Sequence, residues 1–157
     1  MTKKIGAWLP VAAWCMVILW FSGETGEDSA QRSGWLLEWV LGRGAWLERW
    51  GIHRDLLHLG LRKGAHMFNY AVLGGLTANA FGRTTLLAGG KVLAAALGFC
   101  ILFAGMDEWR QTFVPGRAGA FTDVLVDTAG TVLGILLLYG IRLVSGCRGE
   151  VLENALD

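Results

Sequence analysis

Charge is scarce in this chain. Of 157 residues only 17% are Asp, Glu, Lys or Arg, while 54% are hydrophobic and the mean hydropathy is +0.45. Soluble domains sit near a quarter charged, so the composition argues against a water-soluble fold. The net charge is +1, which leaves no basic excess to neutralise a polyanion, and no nucleic-acid partner is expected. There are three cysteines, Cys15, Cys100 and Cys147. The count is odd and the first two lie in apolar runs, which argues against a disulfide framework. Zinc-type ligand spacing is absent, so neither a metal nor a cofactor is expected. Repeats and low-complexity tracts are missing too. Residues 1–157 read as one integral membrane domain.

What is present is a series of apolar runs near the roughly 20 residues that cross a bilayer. The hydrophobic pattern predicts spans over about 5–21, 62–81, 92–111 and 121–143. The first follows Lys3 and Lys4. It is longer than a signal-peptide core and lacks an A-x-A site, so a retained span is expected. Pro10 falls early in it, where proline is best tolerated. Between the first two spans, residues 22–61 open with loop-forming Ser, Gly, Glu and Asp. They continue with Trp35, Leu36, Trp39 and Val40, then Trp46, Leu47 and Trp50. Spacings of three, four and seven predict one or two short amphipathic helices over about 30–58. Such helices either lie in the membrane interface, where tryptophan concentrates, or pack against the bundle. The expected fold is therefore all-α, with four transmembrane helices and short interfacial helices between the first and second.

Four spans put both termini on one side, and the Lys3-Lys4 flank favours the cytoplasm. A count over all loops runs the other way, but the outer basic residues sit among most of the chain's acids. The expected location is the bacterial inner membrane, multi-pass, with residues 22–61 and 106–122 facing outward.

The densest polar stretch is Met106–Asp127, MDEWRQTFVPGRAGAFTDVLVD, which lies between two apolar runs. Ionisable groups this close to hydrocarbon are costly and usually functional. Arg62, His66 and Tyr70 share a helix face at spacings of four, with Lys63 beside it. Asp107, Glu108 and Gln111 form a second stripe and Asp123 and Asp127 a third, continued by Gly130 and Gly134. Pro115-Gly116 would turn the chain and bring Arg117 back over the site. Three chemistries use these residues. Arg62, Lys63 and Arg117 can hold a phosphate or carboxylate. His66 with Glu108 or Asp107 can move protons. Asp123, Asp127, Glu108 and His66 can coordinate a hard cation, the weakest of the three because no ligand motif is present. Ser22 is far away in sequence and has no nucleophile-elbow context. The alternative is a purely structural network of ion pairs that holds helix ends together.

At these residues the sequence resembles the VanZ-like family of small bacterial membrane proteins. Leu61–Gly74, LRKGAHMFNYAVLG, resembles the family's R-K-x-A-H-F-x-x-Y-x-x-L-G block. Met106–Gly130 resembles its D-E-x-x-Q-x-F-x-P-G-R block followed by D-x-x-x-[ND]-x-x-G, and Ile18–Ser22 resembles the F-S end of its first span. Met67, Asn69 and Gly23-Glu24 depart from that pattern. The resemblance implies a four-span inner-membrane protein with its polar motifs at one face. It also implies an envelope role, since the founding member is linked to glycopeptide resistance as reduced teicoplanin susceptibility. The expectation is an outward-facing site that binds, and in the enzymatic version modifies, an anionic envelope lipid, a lipid-linked precursor or a lipoglycopeptide. His66, Asp107 and Glu108 would be catalytic. Arg62, Lys63, Tyr70, Gln111, Arg117, Asp123 and Asp127 would bind substrate. A non-catalytic scaffold is the other class, and oligomeric state is left open.

Overall fold

The computed structural model describes residues 2–41, 53–87 and 89–153. These form five α-helices: α1 (Thr2–Ser22), α2 (Gly26–Leu41), α3 (Arg54–Thr84), α4 (Gly90–Gln111) and α5 (Phe121–Glu153). No strand occurs among the described residues. Three helices are long and apolar enough to cross a membrane, over Ile5–Ser22, Gly90–Gln111 and Phe121–Ser145. The expected second span lies in α3, which does not meet the same criterion. The reason is visible in its composition: His66, Asn69, Thr77 and Asn79 interrupt the apolar run, and Thr77 is completely buried. Thr77 turns inward and His66 and Asn69 are half-buried, while Met67 and Phe68 face out.

Residues 22–61 differ from the expected loop-then-helix. The turn is only Gly23–Thr25, and α2 starts at Gly26. Thr25 caps it: its hydroxyl accepts the Asp28 N–H at 3.2 Å and donates to the Asp28 carboxylate at 2.6 Å. Glu27 and Asp28 occupy the first turn, where the helix dipole favours acids. Trp35 and Trp39 both point away from the bundle. The second half of the expected aromatic stripe, Trp46 to Trp50, lies outside the described residues.

Packing brings α1, α3, α4 and α5 together with α2 laid against α3. Val11, Ile18, Tyr70, Leu73, Ala80, Cys100, Phe103 and Ala104 form the main core. The Trp14 indole donates to the Asn69 carbonyl at 2.9 Å and the Trp8 indole to the Thr84 hydroxyl at 3.2 Å, so α1 runs antiparallel to α3. The α3–α5 contact is the most extensive in the fold. It is built on small residues: a Cβ placed on Gly130 or Gly134 would collide with the carbonyls of Met67 and Ala71. The Gly130-Gly134 stripe thus serves close packing inside the bundle.

This close approach makes the two ends of a simple comparison. Gly134→Ala should lower stability by about 1–3 kcal/mol through overpacking against the α3 backbone. Gly98→Ala, with open space at its Cβ position, should leave stability unchanged or raise it by up to ~1 kcal/mol through helix propensity. Thermal unfolding in detergent measures both, and equal effects at the two glycines would contradict the packing described.

Candidate functional site

Four helices bring polar groups to one end of the bundle: the C-terminus of α1, the first half of α3, the C-terminus of α4 and the N-terminus of α5. Asp107, Glu108, Gln111, Asp123 and Asp127 are all buried there. Helical spacing explains this, since 107, 108 and 111 lie on the inner face of α4, and 123 and 127 on the inner face of α5.

The charges sort into three linked groups. Asp123 accepts from Lys63 Nζ at 2.6 Å and from Arg62 Nη2 at 3.1 Å, one on each oxygen. Asp127 faces His66, with Nδ1 to Oδ1 at 3.2 Å. Asp107 accepts from the Ser22 hydroxyl at 2.6 Å, from Arg110 Nη2 at 3.2 Å and from the Gln111 amide at 3.2 Å. Gln111 ties the Asp107 group to Glu108 and Arg117. Its Nε2 also donates to Glu108 at 3.1 Å, and its carbonyl accepts from Arg117 Nη1 at 3.2 Å. Glu108 takes a further bond from the Ala120 N–H at 2.9 Å, which fixes the entry into α5. Tyr70 is buried one turn beyond His66, and its hydroxyl has no hydrogen-bond partner.

The turn between α4 and α5 is shaped by Gly116, whose φ of 72° is the left-handed conformation open to glycine. The Gly26 N–H donates to the Pro115 carbonyl at 3.0 Å, so the start of α2 is tied to this turn. Arg117 is thereby held over the site, where it also donates to the Phe21 carbonyl at 3.4 Å. Burial, followed by the charge of Arg62, pulls the Arg117 pKa below its usual value, against the opposing pull of Glu24, Asp107 and Glu108.

A cavity of about 240 Å³ opens above this network. Arg32, Arg62, Arg117 and His66 supply its cationic side chains and imidazole, and Glu24 is the one carboxylate among its lining residues. Ile18, Phe21, Leu36 and Leu61 supply an apolar wall. Arg32 pairs with Glu24 and lies 5.0 Å from the centroid of the Phe21 ring.

All ten residues named from the sequence fall at this end of the molecule, but with different partners from those expected. His66 meets Asp127 directly, with a Glu108 carboxylate oxygen within 4.8 Å of the same pair, whereas Asp107 belongs to the Ser22–Arg110 group. Asp123 does position Arg62 and Lys63; Asp127 holds the imidazole instead of a basic side chain. Ser22 is far from Asp107 in sequence, yet α1 and α4 end at the same end of the bundle and its hydroxyl donates to Asp107. Arg110 was missed although it stands three residues from Asp107, the spacing that makes helical neighbours. It also donates to Ser22 and to the Leu19 carbonyl, tying α4 to α1. Arg32 and Glu24 had no signal at all, since only the fold of α2 over α3 brings them near.

The apolar helices around one buried ionic end define a multi-pass membrane protein. The family model described as VanZ/LLP1 matches residues 7–143, and the chain belongs to that family. No curated protein and no solved structure matches the chain.

Removing Asp107 should be costly, because Ser22, Arg110 and Gln111 would all lose an acceptor. Asp107→Ala is expected to destabilise by roughly 3 kcal/mol, as for one partner of a buried pair. Ser22→Ala, which removes one neutral partner, should cost about 1 kcal/mol. Unfolding in detergent ranks the two; Ser22→Ala proving as damaging as Asp107→Ala would refute the central place given to the carboxylate.

Proposed function

We propose that this protein is a four-span inner-membrane protein whose outward-facing pocket binds the anionic headgroup of an envelope lipid or lipid-linked precursor. The observation that carries the reading is the lining of the cavity. Three guanidiniums and an imidazole face one hollow beside an apolar wall, which matches a phosphate or carboxylate attached to an acyl chain. The lowered pKa of Arg117 points the same way: an anion placed between Arg117 and Arg62 would relieve both burial and repulsion.

Counting α3 as a span rests on its length and its facing. At ~1.5 Å per residue its 31 residues reach about 46 Å, more than the hydrocarbon core. Within its middle stretch Thr77 is buried and His66 and Asn69 are half-buried against the bundle. In this reading α2 rests in the interface with Trp35 and Trp39, 65% and 73% exposed, at headgroup level. Both termini are cytoplasmic and the ionic end faces out, on the strength of Lys3 and Lys4. In a Cys-free background, a cysteine at position 27 should react with an impermeant thiol reagent in intact cells and one at position 148 should not. The reverse pattern overturns the orientation. Trp39 as the single tryptophan should be quenched by lipid-borne probes near the headgroups, and quenching by aqueous iodide alone would remove α2 from the interface.

Catalysis at the same place would fall to His66, Glu108 and Asp107. Substrate would be held by Arg62, Lys63 and Arg117, with Gln111 and Tyr70 orienting it, Asp123 fixing Arg62 and Lys63, and Asp127 holding the His66 imidazole. The family connection extends the proposal to glycopeptide susceptibility. A second reading has its own support. Arg62, Lys63, Arg110 and Arg117 each already hold a protein partner, as a scaffold's ion-pair network would require.

The two readings separate on one experiment. In nanodiscs, Arg117→Gln and Arg62→Gln should each weaken binding of an anionic phospholipid about tenfold, the loss of one charge-assisted hydrogen bond. The melting temperature should change little. Affinity that falls only in proportion to stability, or equal binding of a zwitterionic lipid, would leave the scaffold reading. Glu108→Gln abolishing a teicoplanin phenotype in a folded protein would favour catalysis, since a scaffold tolerates that change.

A further inference from the structure

The four buried carboxylates are not treated alike. Asp123 carries Lys63 and Arg62. Asp107 carries Arg110. Glu108 and Asp127 have no lysine or arginine bonded to them among the described residues. Among the described residues Glu108 is held by the Gln111 amide and the Ala120 N–H, and the Asp127 carboxylate by His66. They are 5% and 1% exposed. Two carboxylates this deep are costly as bare charges, and a cation among them is one way such a set is stabilised.

We propose that His66, Glu108 and Asp127 hold one divalent transition-metal ion of the Zn²⁺ or Mn²⁺ kind. One donor atom from each residue lies within 4.8 Å of the others. The tightest pair, His66 Nδ1 and Asp127 Oδ1, is 3.2 Å apart. Ligands at about 2.1 Å from a tetrahedral ion are roughly 3.4 Å from one another, so this pair already has the spacing of a coordination edge. Glu108, within 4.8 Å of the other two donors, has to close by up to about 1.4 Å to reach the same spacing, a shift that rotation about its own side-chain torsions would supply. The charges also match, two carboxylates and a neutral imidazole against a dication. Imidazole with carboxylate suits zinc and manganese, whereas magnesium and calcium prefer sets made wholly of oxygen.

Tyr70 is an independent observation. Its hydroxyl is buried without a partner, and the residue is 1% exposed. It stands one turn from His66, lines the same cavity, and lies in the field of Asp127 and Glu108. A water or anion oxygen on the ion would give it the hydrogen bond it lacks. Three protein donors leave a tetrahedral position open, as in catalytic rather than structural sites. His66 lines the pocket together with Arg62 and Arg117, so an anion held there would lie beside the metal. This last step rests on the pocket reading; the metal site itself does not. No short-range motif announces it, because α3, α4 and α5 contribute one donor each.

The test uses the full chain in neutral detergent without anionic lipid, so its failure and that of the pocket reading are distinguishable. After chelation and dialysis, titration with ZnCl₂ and MnCl₂ should show about one saturable ion per chain, with a rise in melting temperature that EDTA reverses. Asp127→Asn and His66→Asn should each lower metal affinity at least tenfold to a hundredfold, the loss already seen when a group that merely supports a ligand is removed. Glu27→Gln, an exposed acid on α2, should leave it unchanged. Where a variant fails to fold, the wild-type chain still decides: Mn²⁺ bound at this site should show nitrogen coupling from one imidazole in pulsed electron paramagnetic resonance. Absence of saturable binding by folded protein, unchanged affinity in folded Asp127→Asn and His66→Asn, or bound manganese without nitrogen coupling overturns the proposal.

Discussion

Everything at the ionic end depends on placing carboxylates where water is largely excluded. A bare carboxylate in such a place is unstable, so each must find donors. In this chain the donors come from other elements. Asp107 on α4 is satisfied from α1, Asp123 on α5 from α3, and Glu108 on α4 from the backbone that opens α5. The hydrophobic effect assembles the helices only loosely in a bilayer, where lipid is as apolar as leucine. The ionic pairs therefore specify which helix ends meet.

Most of the helices were legible in the sequence because long apolar runs admit few alternatives. Spacing also placed the polar stripes correctly on α3, α4 and α5. What spacing cannot supply is the pairing between stripes, which depends on how helices are rotated against each other. Asp127 therefore took His66 where a basic side chain was expected. The early start of α2 was hidden by Gly23–Asp28, a composition that reads as loop until Thr25 is recognised as a cap. Ser22 was lost for a different reason. Sequence distance is a poor guide in an antiparallel bundle, where a helix end returns to the same membrane face every two spans.

The site combines two features that pull in opposite directions. The cavity is lined by three guanidiniums and one carboxylate, Glu24, while Asp107, Glu108 and Asp127 are buried outside its lining. Arg117 nevertheless feels Asp107 and Glu108 as well as Arg62, so an anion in the cavity would meet guanidiniums and, close by, acids that repel it.

The glycines of α5 have a consequence for this electrostatic arrangement. Gly130 and Gly134 rest on backbone carbonyls of α3, with no side chain between that could yield. A slip of α5 by one residue would turn Asp127 about 100° away from His66, and it would also push a side chain into the Met67 carbonyl. Lys63 with Asp123, His66 with Asp127 and Met67 with Gly130 advance together along two parallel helices. Register is thus set by steric exclusion in the apolar half of the helix pair and read out as charge pairing in the polar half. A residue with no side chain decides which acid meets which base.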